Sequence, residues 1–71
     1  MAEFNISQRL VELRKERGFS QREVAEMIGS DPRAYQRYEL GERVPVITSV
    51  VALARLYGVS TDYLLGLKDT P

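Results

Sequence analysis

The sequence predicts an all-α domain of five short helices, and three observations predict it. Gly18, Gly29, Gly41, Gly58 and Gly66 divide the 71 residues into short segments. Within those segments apolar residues recur at helical spacing, with few alternating β-branched runs. Residues suited to helix starts stand at the head of most segments. A chain of this length is one domain, here residues 1–66, followed by a short tail at 67–71.

The first helix is expected from about Ile6 to Arg17. Asn5 can cap it, with Gln8 completing a capping-box pattern. Ile6, Leu10 and Leu13 form one buried stripe, and Gly18 suits a left-handed stop. The second starts at Ser20, with Glu23 three residues on as a second capping box. Val24, Ala25 and Ile28 make its inner face, and Gly29 ends it. The third follows Asp31-Pro32, a strong cap and then proline at the preferred first position. Tyr35 and Tyr38 share a face and Gly41 stops it. After the loop Glu42-Arg43-Val44-Pro45, the fourth covers roughly Ile47 to Tyr57. Val46 cannot cap it, whereas Thr48 and Ser49 can. The fifth is short: Ser60 caps, Thr61 to Leu65 follow, and Gly66 stops it. The tail from Leu67 to Pro71 is expected to fray.

Composition narrows the function. The chain has neither cysteine nor histidine, which removes disulfides, thiolate metal sites and the commonest general base. The remaining acidic residues fall at capping or solvent-facing positions with no paired arrangement, so an enzyme is a poor reading. No metal site and no small-molecule cofactor is expected. No stretch reaches the roughly 20 apolar residues of a membrane span, and the first residues lack a signal-peptide pattern. A cytoplasmic, nucleoid-associated protein is expected. Ten basic and ten acidic residues balance, which speaks mildly against nucleic acid as a partner, although a neutral total can hide a basic face.

The second and third helices are joined only by residues around Gly29-Ser30. So short a connection forces a sharp angle, the geometry of a helix-turn-helix. In that geometry the third helix can enter a major groove about 12 Å wide while the second crosses the backbone. Arg33 and Arg37 lie four apart on one face, away from Tyr35 and Tyr38. Arginine can bond guanine O6 and N7 in bidentate fashion. The starts of both helices offer N–H groups to phosphate.

These residues form an ordered set. Arg9-Leu10, Arg17-Gly18-Phe19-Ser20-Gln21, Glu23-Val24-Ala25, Ile28-Gly29, Arg37-Tyr38-Glu39 and Gly41 come first. Pro45, Leu53-Ala54, Tyr57-Gly58-Val59-Ser60 and Asp62-Tyr63-Leu64-Leu65-Gly66 follow. The set, spanning about Ile6 to Gly66, resembles the Cro/repressor-type (XRE) helix-turn-helix family. The resemblance implies a compact five-helix, lambda-repressor-like domain that binds double-stranded DNA. It implies DNA contacts at Gln21, Arg22, Asp31, Pro32, Arg33, Gln36, Arg37 and Arg43. Gln21 would meet phosphate; Pro32, Arg33 and Arg37 would face the groove; Arg43 would follow the backbone. It also implies an ion pair between Arg14 and Glu39 beneath the turn. Three departures stand out. Tyr35 replaces a branched aliphatic residue, Pro32 replaces a polar base reader, and Glu42 with Val44 replaces basic or polar loop residues. Weaker or more dimer-dependent binding is expected.

Each feature has a plainer alternative. Arg33 and Arg37 could form a solvated helix face, Gln21 an ordinary helix start, and Arg14 and Glu39 unrelated surface charges. Tyr35 and Tyr38 are expected in the core with their hydroxyls reaching the surface. The fourth helix is too apolar for one stripe on a small monomer. Either it packs on several sides or it joins the fifth helix in a subunit contact at Val51, Tyr63 and Leu64, remote from the third helix. The leading expectation is a dimeric, sequence-specific transcriptional regulator, a repressor at a palindromic operator. The alternative is an antitoxin-like or adaptor module that keeps the fold and binds DNA weakly.

Overall fold

A computed structural model describes residues 6–71. Five helices follow one another: α1 (Ile6–Glu16), α2 (Gln21–Met27), α3 (Pro32–Leu40), α4 (Ile47–Tyr57) and α5 (Thr61–Leu64). No strand occurs among the described residues. The cap expected from Asn5 and Gln8 involves a residue outside the described residues.

Local chemistry sets most boundaries. The Ser20 hydroxyl accepts from the Glu23 N–H at 3.1 Å, and the Glu23 carboxylate accepts from the Ser20 N–H at 2.8 Å. This reciprocal box satisfies two N–H groups that the helix leaves free, and a lost cap costs about 1 kcal/mol. The Asp31 carboxylate accepts from the Arg33 N–H at 2.7 Å, with Pro32 at the first helical position. Ser60 caps α5 through the Tyr63 N–H. The fourth helix keeps the expected span of Ile47–Tyr57, but neither Thr48 nor Ser49 caps it. Val46 occupies its cap position without a side-chain bond, Thr48 is exposed and Ser49 is buried. Pro45 and Val50, both buried, anchor the chain on either side of this start, so packing replaces the polar cap. Its other end is tied by Arg17, whose guanidinium donates to the Tyr57 carbonyl at 2.9 Å. A cation there complements the free carbonyls of a helix end.

The core gathers Leu10 and Leu13 from α1, Val24 and Ala25 from α2, Tyr35 and Tyr38 from α3, Leu53 and Tyr57 from α4, and Leu64 from α5. α3 packs against α1 and α2, and α5 against α1 and α4. Each fully buried aliphatic side chain contributes about 1.5–3 kcal/mol. The Tyr35 and Tyr38 rings meet edge to face, 6.3 Å between centroids, the arrangement their quadrupoles favour.

Three expectations need correction. Leu64 is 0% exposed; it is a core residue between α1 and α4, so it has no surface to offer a second subunit. The tail folds back instead of fraying. The Ser60 N–H donates to the Pro71 carbonyl at 3.1 Å and the Leu67 N–H to the Asp62 carbonyl at 2.8 Å. The Tyr35 hydroxyl does not reach the surface. It is buried with that of Tyr57, and neither makes a hydrogen bond of good geometry among the described residues.

Candidate nucleic-acid interface

The turn between α2 and α3 is closed by backbone bonds. The Ser30 N–H donates to the Ala25 carbonyl at 2.8 Å and the Gly29 N–H to the Glu26 carbonyl at 3.2 Å. Gly29 has φ +70°, and a Cβ there would meet nothing within 4 Å. Its requirement is therefore conformational. A side chain in that left-handed state costs roughly 1–2 kcal/mol.

This turn aims the outer face of α3 into solvent. Arg33, Gln36 and Arg37 are exposed on the side opposite Tyr35 and Tyr38, as spacings of three and four residues dictate. None of the three side chains has a hydrogen-bond or salt-bridge partner among the described residues. The same face continues to Leu40, which is 62% exposed. Sequence reasoning passed over Leu40, although its spacing from Gln36 and Arg37 would have found it. Arg43 is exposed in the following loop, next to exposed Glu42. Asp31 and Pro32 are exposed at the head of α3. There the Asp31 carboxylate already holds the Arg33 N–H, and Pro32 has no N–H to give. The start of α3 is thus not the open phosphate seat that helix geometry alone suggested. At the start of α2, Ser20 and Glu23 leave the Gln21 and Arg22 N–H groups uncapped, while the Arg22 side chain turns to Glu26 at 3.4 Å.

Beneath the turn lies a polar cluster. Arg14 donates to both carboxylate oxygens of Glu39, at 2.6 and 3.1 Å, and to the Phe19 carbonyl at 3.0 Å. The Gln21 amide donates to the same Glu39 carboxylate at 3.0 Å. The Glu39 side chain is only 4% exposed. Burial pushes its carboxyl up, but the bonds from Arg14 and Gln21, aided by nearby Tyr35, outweigh that and hold it below the usual range. Burial drives the Tyr35 hydroxyl far above its ordinary value, and the Glu39 charge adds to this. The cluster ties α1, the head of α2 and the end of α3 together.

The apolar surplus of α4 divides. Val50, Leu53, Ala54 and Tyr57 are buried, so most of the helix packs on several sides. Ile47, at 79% exposed, and Val51, at 38%, face solvent. With Ile6, Val44, Pro45, Val50, Thr61 and Leu65 they line an apolar groove of about 420 Å³. Because Val44 and Pro45 belong to the loop that leaves α3, this surface is not confined to α4 and α5. Tyr63 does not line it. That ring is half-buried beneath the Arg9 guanidinium, 3.9 Å from its centroid.

Among known proteins, a family model described as helix-turn-helix matches residues 10–64. An HTH-type transcriptional regulator of Bacillus subtilis, YobD, itself uncharacterized, is 45% identical over 64 residues, 90% of this chain and 57% of that protein. The chain spans about half the length of such curated relatives. A transcriptional regulator from Listeria innocua superposes with a TM-score of 0.87 at 29% identity, over 92% of this chain and 61% of that one. The DNA-binding domain of the P22 C2 repressor superposes with a TM-score of 0.81 at 27% identity, over 100% and 96% of the two chains.

Proposed function

The chain belongs to the Cro/repressor-type helix-turn-helix family, and from that premise we propose that it is a sequence-specific transcriptional regulator of the cytoplasm. It represses by occupying a palindromic operator in double-stranded DNA as a homodimer. The observation that carries this reading is the outer face of α3. Arg33, Gln36 and Arg37 stand exposed side by side on a helix whose other face is locked into the core. Side chains free of internal partners, on a helix that cannot shift, suit direct readout of base edges. Arg43 serves as a phosphate contact. Gln21 and Arg22 follow the backbone at the head of α2. Asp31 and Pro32 shape the head of α3, with Pro32 limited to apolar contact.

One domain makes too few contacts for tight binding at cellular salt. A two-fold pair doubles them, with half-sites about 34–36 Å apart. A second copy of this chain occupies the groove between the α3–α4 loop, α4 and α5. Exposed Ile47 beside the hollow lined by Val50 and Leu65 offers an apolar patch that a two-fold contact, pairing one surface with itself, would bury. Val51 contributes there; Tyr63 at most borders the contact.

The test is selection of bound sequences from a random DNA pool, followed by Arg37→Ala and Arg43→Ala. Arg37→Ala should relax preference at one base position per half-site. Arg43→Ala should weaken all sequences alike and lower the salt slope by about one unit. Equal losses on every sequence from both changes would remove Arg37 as a base reader. An adaptor with no DNA role is the competing reading, motivated by the neutral net charge and exposed Glu42. It predicts no enriched sequence at low salt.

A further inference from the structure

The hydrogen bond between Gln21 and Glu39 joins two residues with different duties under the reading above. Gln21 opens α2 and is half-buried. Glu39 lies near the end of α3, its side chain almost wholly covered. A glutamine side chain has free rotation about three bonds, so an unsupported Gln21 amide would sample many directions. Here one of its two N–H bonds is held by Glu39 at 3.0 Å. The carboxylate that holds it is itself fixed by two bonds from Arg14, and Arg14 is fixed by the Phe19 carbonyl. Phe19 lies two residues before Gln21, so the chain of bonds closes on the segment that carries the amide.

The geometry points to Glu39 as the positioning residue for a phosphate contact made by Gln21. It turns the second amide N–H outward to a DNA backbone oxygen. Glu39 does not touch DNA. It acts by removing freedom from the residue that does, so that little ordering remains when the phosphate arrives. Because Glu39 belongs to the same helix as Arg33 and Arg37, the backbone contact and the base-reading face are held in one register. The inference rests on the DNA-binding reading, and its test separates the two.

The probe is the selected operator carrying single methylphosphonate substitutions, each removing the charge and acceptor character of one phosphate. Among the phosphates the parent domain senses, the one met by Gln21 in each half-site should cost about 12- to 160-fold in affinity, the range of one hydrogen bond to a charged group. Gln21→Ala should bind the unmodified operator weaker by a similar factor and no longer sense that substitution. Glu39→Asp keeps the charge beside Arg14 but withdraws it by one methylene. It should show the same insensitivity at the same phosphate, with helicity retained and Arg37-dependent base preference unchanged. The Gln21 side-chain amide should also become mobile by nitrogen-15 relaxation, a change readable without DNA. If Glu39→Asp keeps full sensitivity at the phosphate that Gln21→Ala no longer senses, or leaves the amide rigid, Glu39 does not position it. If Gln21→Ala and the parent sense every phosphate alike, Gln21 makes no such contact and the inference fails while the DNA-binding reading stands. If the parent binds no DNA, both fail.

Discussion

Removing either partner of the Arg14–Glu39 pair should be costly, and removing both should cost less than the sum. Glu39→Ala takes away the acceptor of two Arg14 bonds and one Gln21 bond. Arg14 keeps the Phe19 carbonyl and is 15% exposed, so part of its charge regains water. A loss of about 1.5–3 kcal/mol follows. Arg14→Ala is worse. It leaves a carboxylate 4% exposed without its cation, and breaking such a pair from one side costs about 3–5 kcal/mol. A domain of 71 residues has roughly 4–11 kcal/mol in total at the usual stability per residue. Arg14→Ala should therefore sit near the unfolding threshold. The assay is urea denaturation at low temperature followed by helicity, for the parent, both singles and the double variant. The double should be about 1–3 kcal/mol more stable than additivity predicts. pH gives a second check. Glu39 titrates below its ordinary value, so its stabilisation is complete above the unfolded carboxylate pKa of about 4.3. It is lost as pH falls through the folded value. That acid limb should flatten when Glu39 is removed. Strict additivity with an unchanged acid limb would mean the pair contributes nothing.

Other consequences are quicker to state. Tyr35→Phe deletes a buried hydroxyl that lacks a well-formed bond yet helps hold the Glu39 carboxylate, so thermal melting should place it within about 1 kcal/mol of the parent. A loss beyond that would reveal a partner for the hydroxyl. Its pKa is raised, so the parent's stability holds below about pH 10 and declines above it; the variant should decline less. Ile47→Glu or Val51→Glu alters exposed rim residues of the groove. Sedimentation should find the domain folded but its occupancy of an operator less cooperative, whereas Leu64→Glu should unfold it. One protein per operator at saturation would exclude the two-fold arrangement.

The parts legible in the sequence are those set by short-range chemistry. Ser20 with Glu23, and Asp31 with Pro32, mark helix starts because capping depends on residues within one turn. Gly29 and Gly41 mark ends because both adopt positive φ. Arg33 and Arg37 share an exposed face by spacing alone. What escaped depends on distant neighbours. Nothing near Leu64 reveals that α1 and α4 close over it, and nothing near Tyr63 reveals that Arg9 covers its ring. The Gln21 amide bonds a residue 18 positions away. Residue type shows that it can donate, but not to what. What starts α4 without a polar cap escapes for the same reason, since burial of Pro45 and Val50 outweighs the hydroxyls of Thr48 and Ser49. Val44, Ile47 and Leu65 join one groove only once the loop is folded against α4 and α5.

Net charge is the property most open to misreading, because a zero sum says nothing about which charges remain free. Arg14 is held by Glu39, Arg22 by Glu26, Arg17 by the end of α4, and Arg9 lies on Tyr63. On the acidic side, Glu23 and Asp31 cap helices. Arg33, Arg37 and Arg43 are exposed without side-chain partners among the described residues, and Glu42 is the acid beside them in sequence. A face with three free cations can therefore belong to a neutral chain. The consequence is quantitative. Each cation that neutralises a phosphate releases about 0.9 counterion. Arg43 and Arg22, whose pair with Glu26 is fully at the surface, give a slope of log affinity against log salt of roughly −2 for one domain and −4 for a two-fold pair. Titrating operator binding between about 50 and 200 mM salt measures it. A slope near −2 at saturating dimer would mean that only half of these cations engage. A slope steeper than about −8 would bring in cations outside those assigned here to DNA, and the division of charge between fold and interface would have to be redrawn.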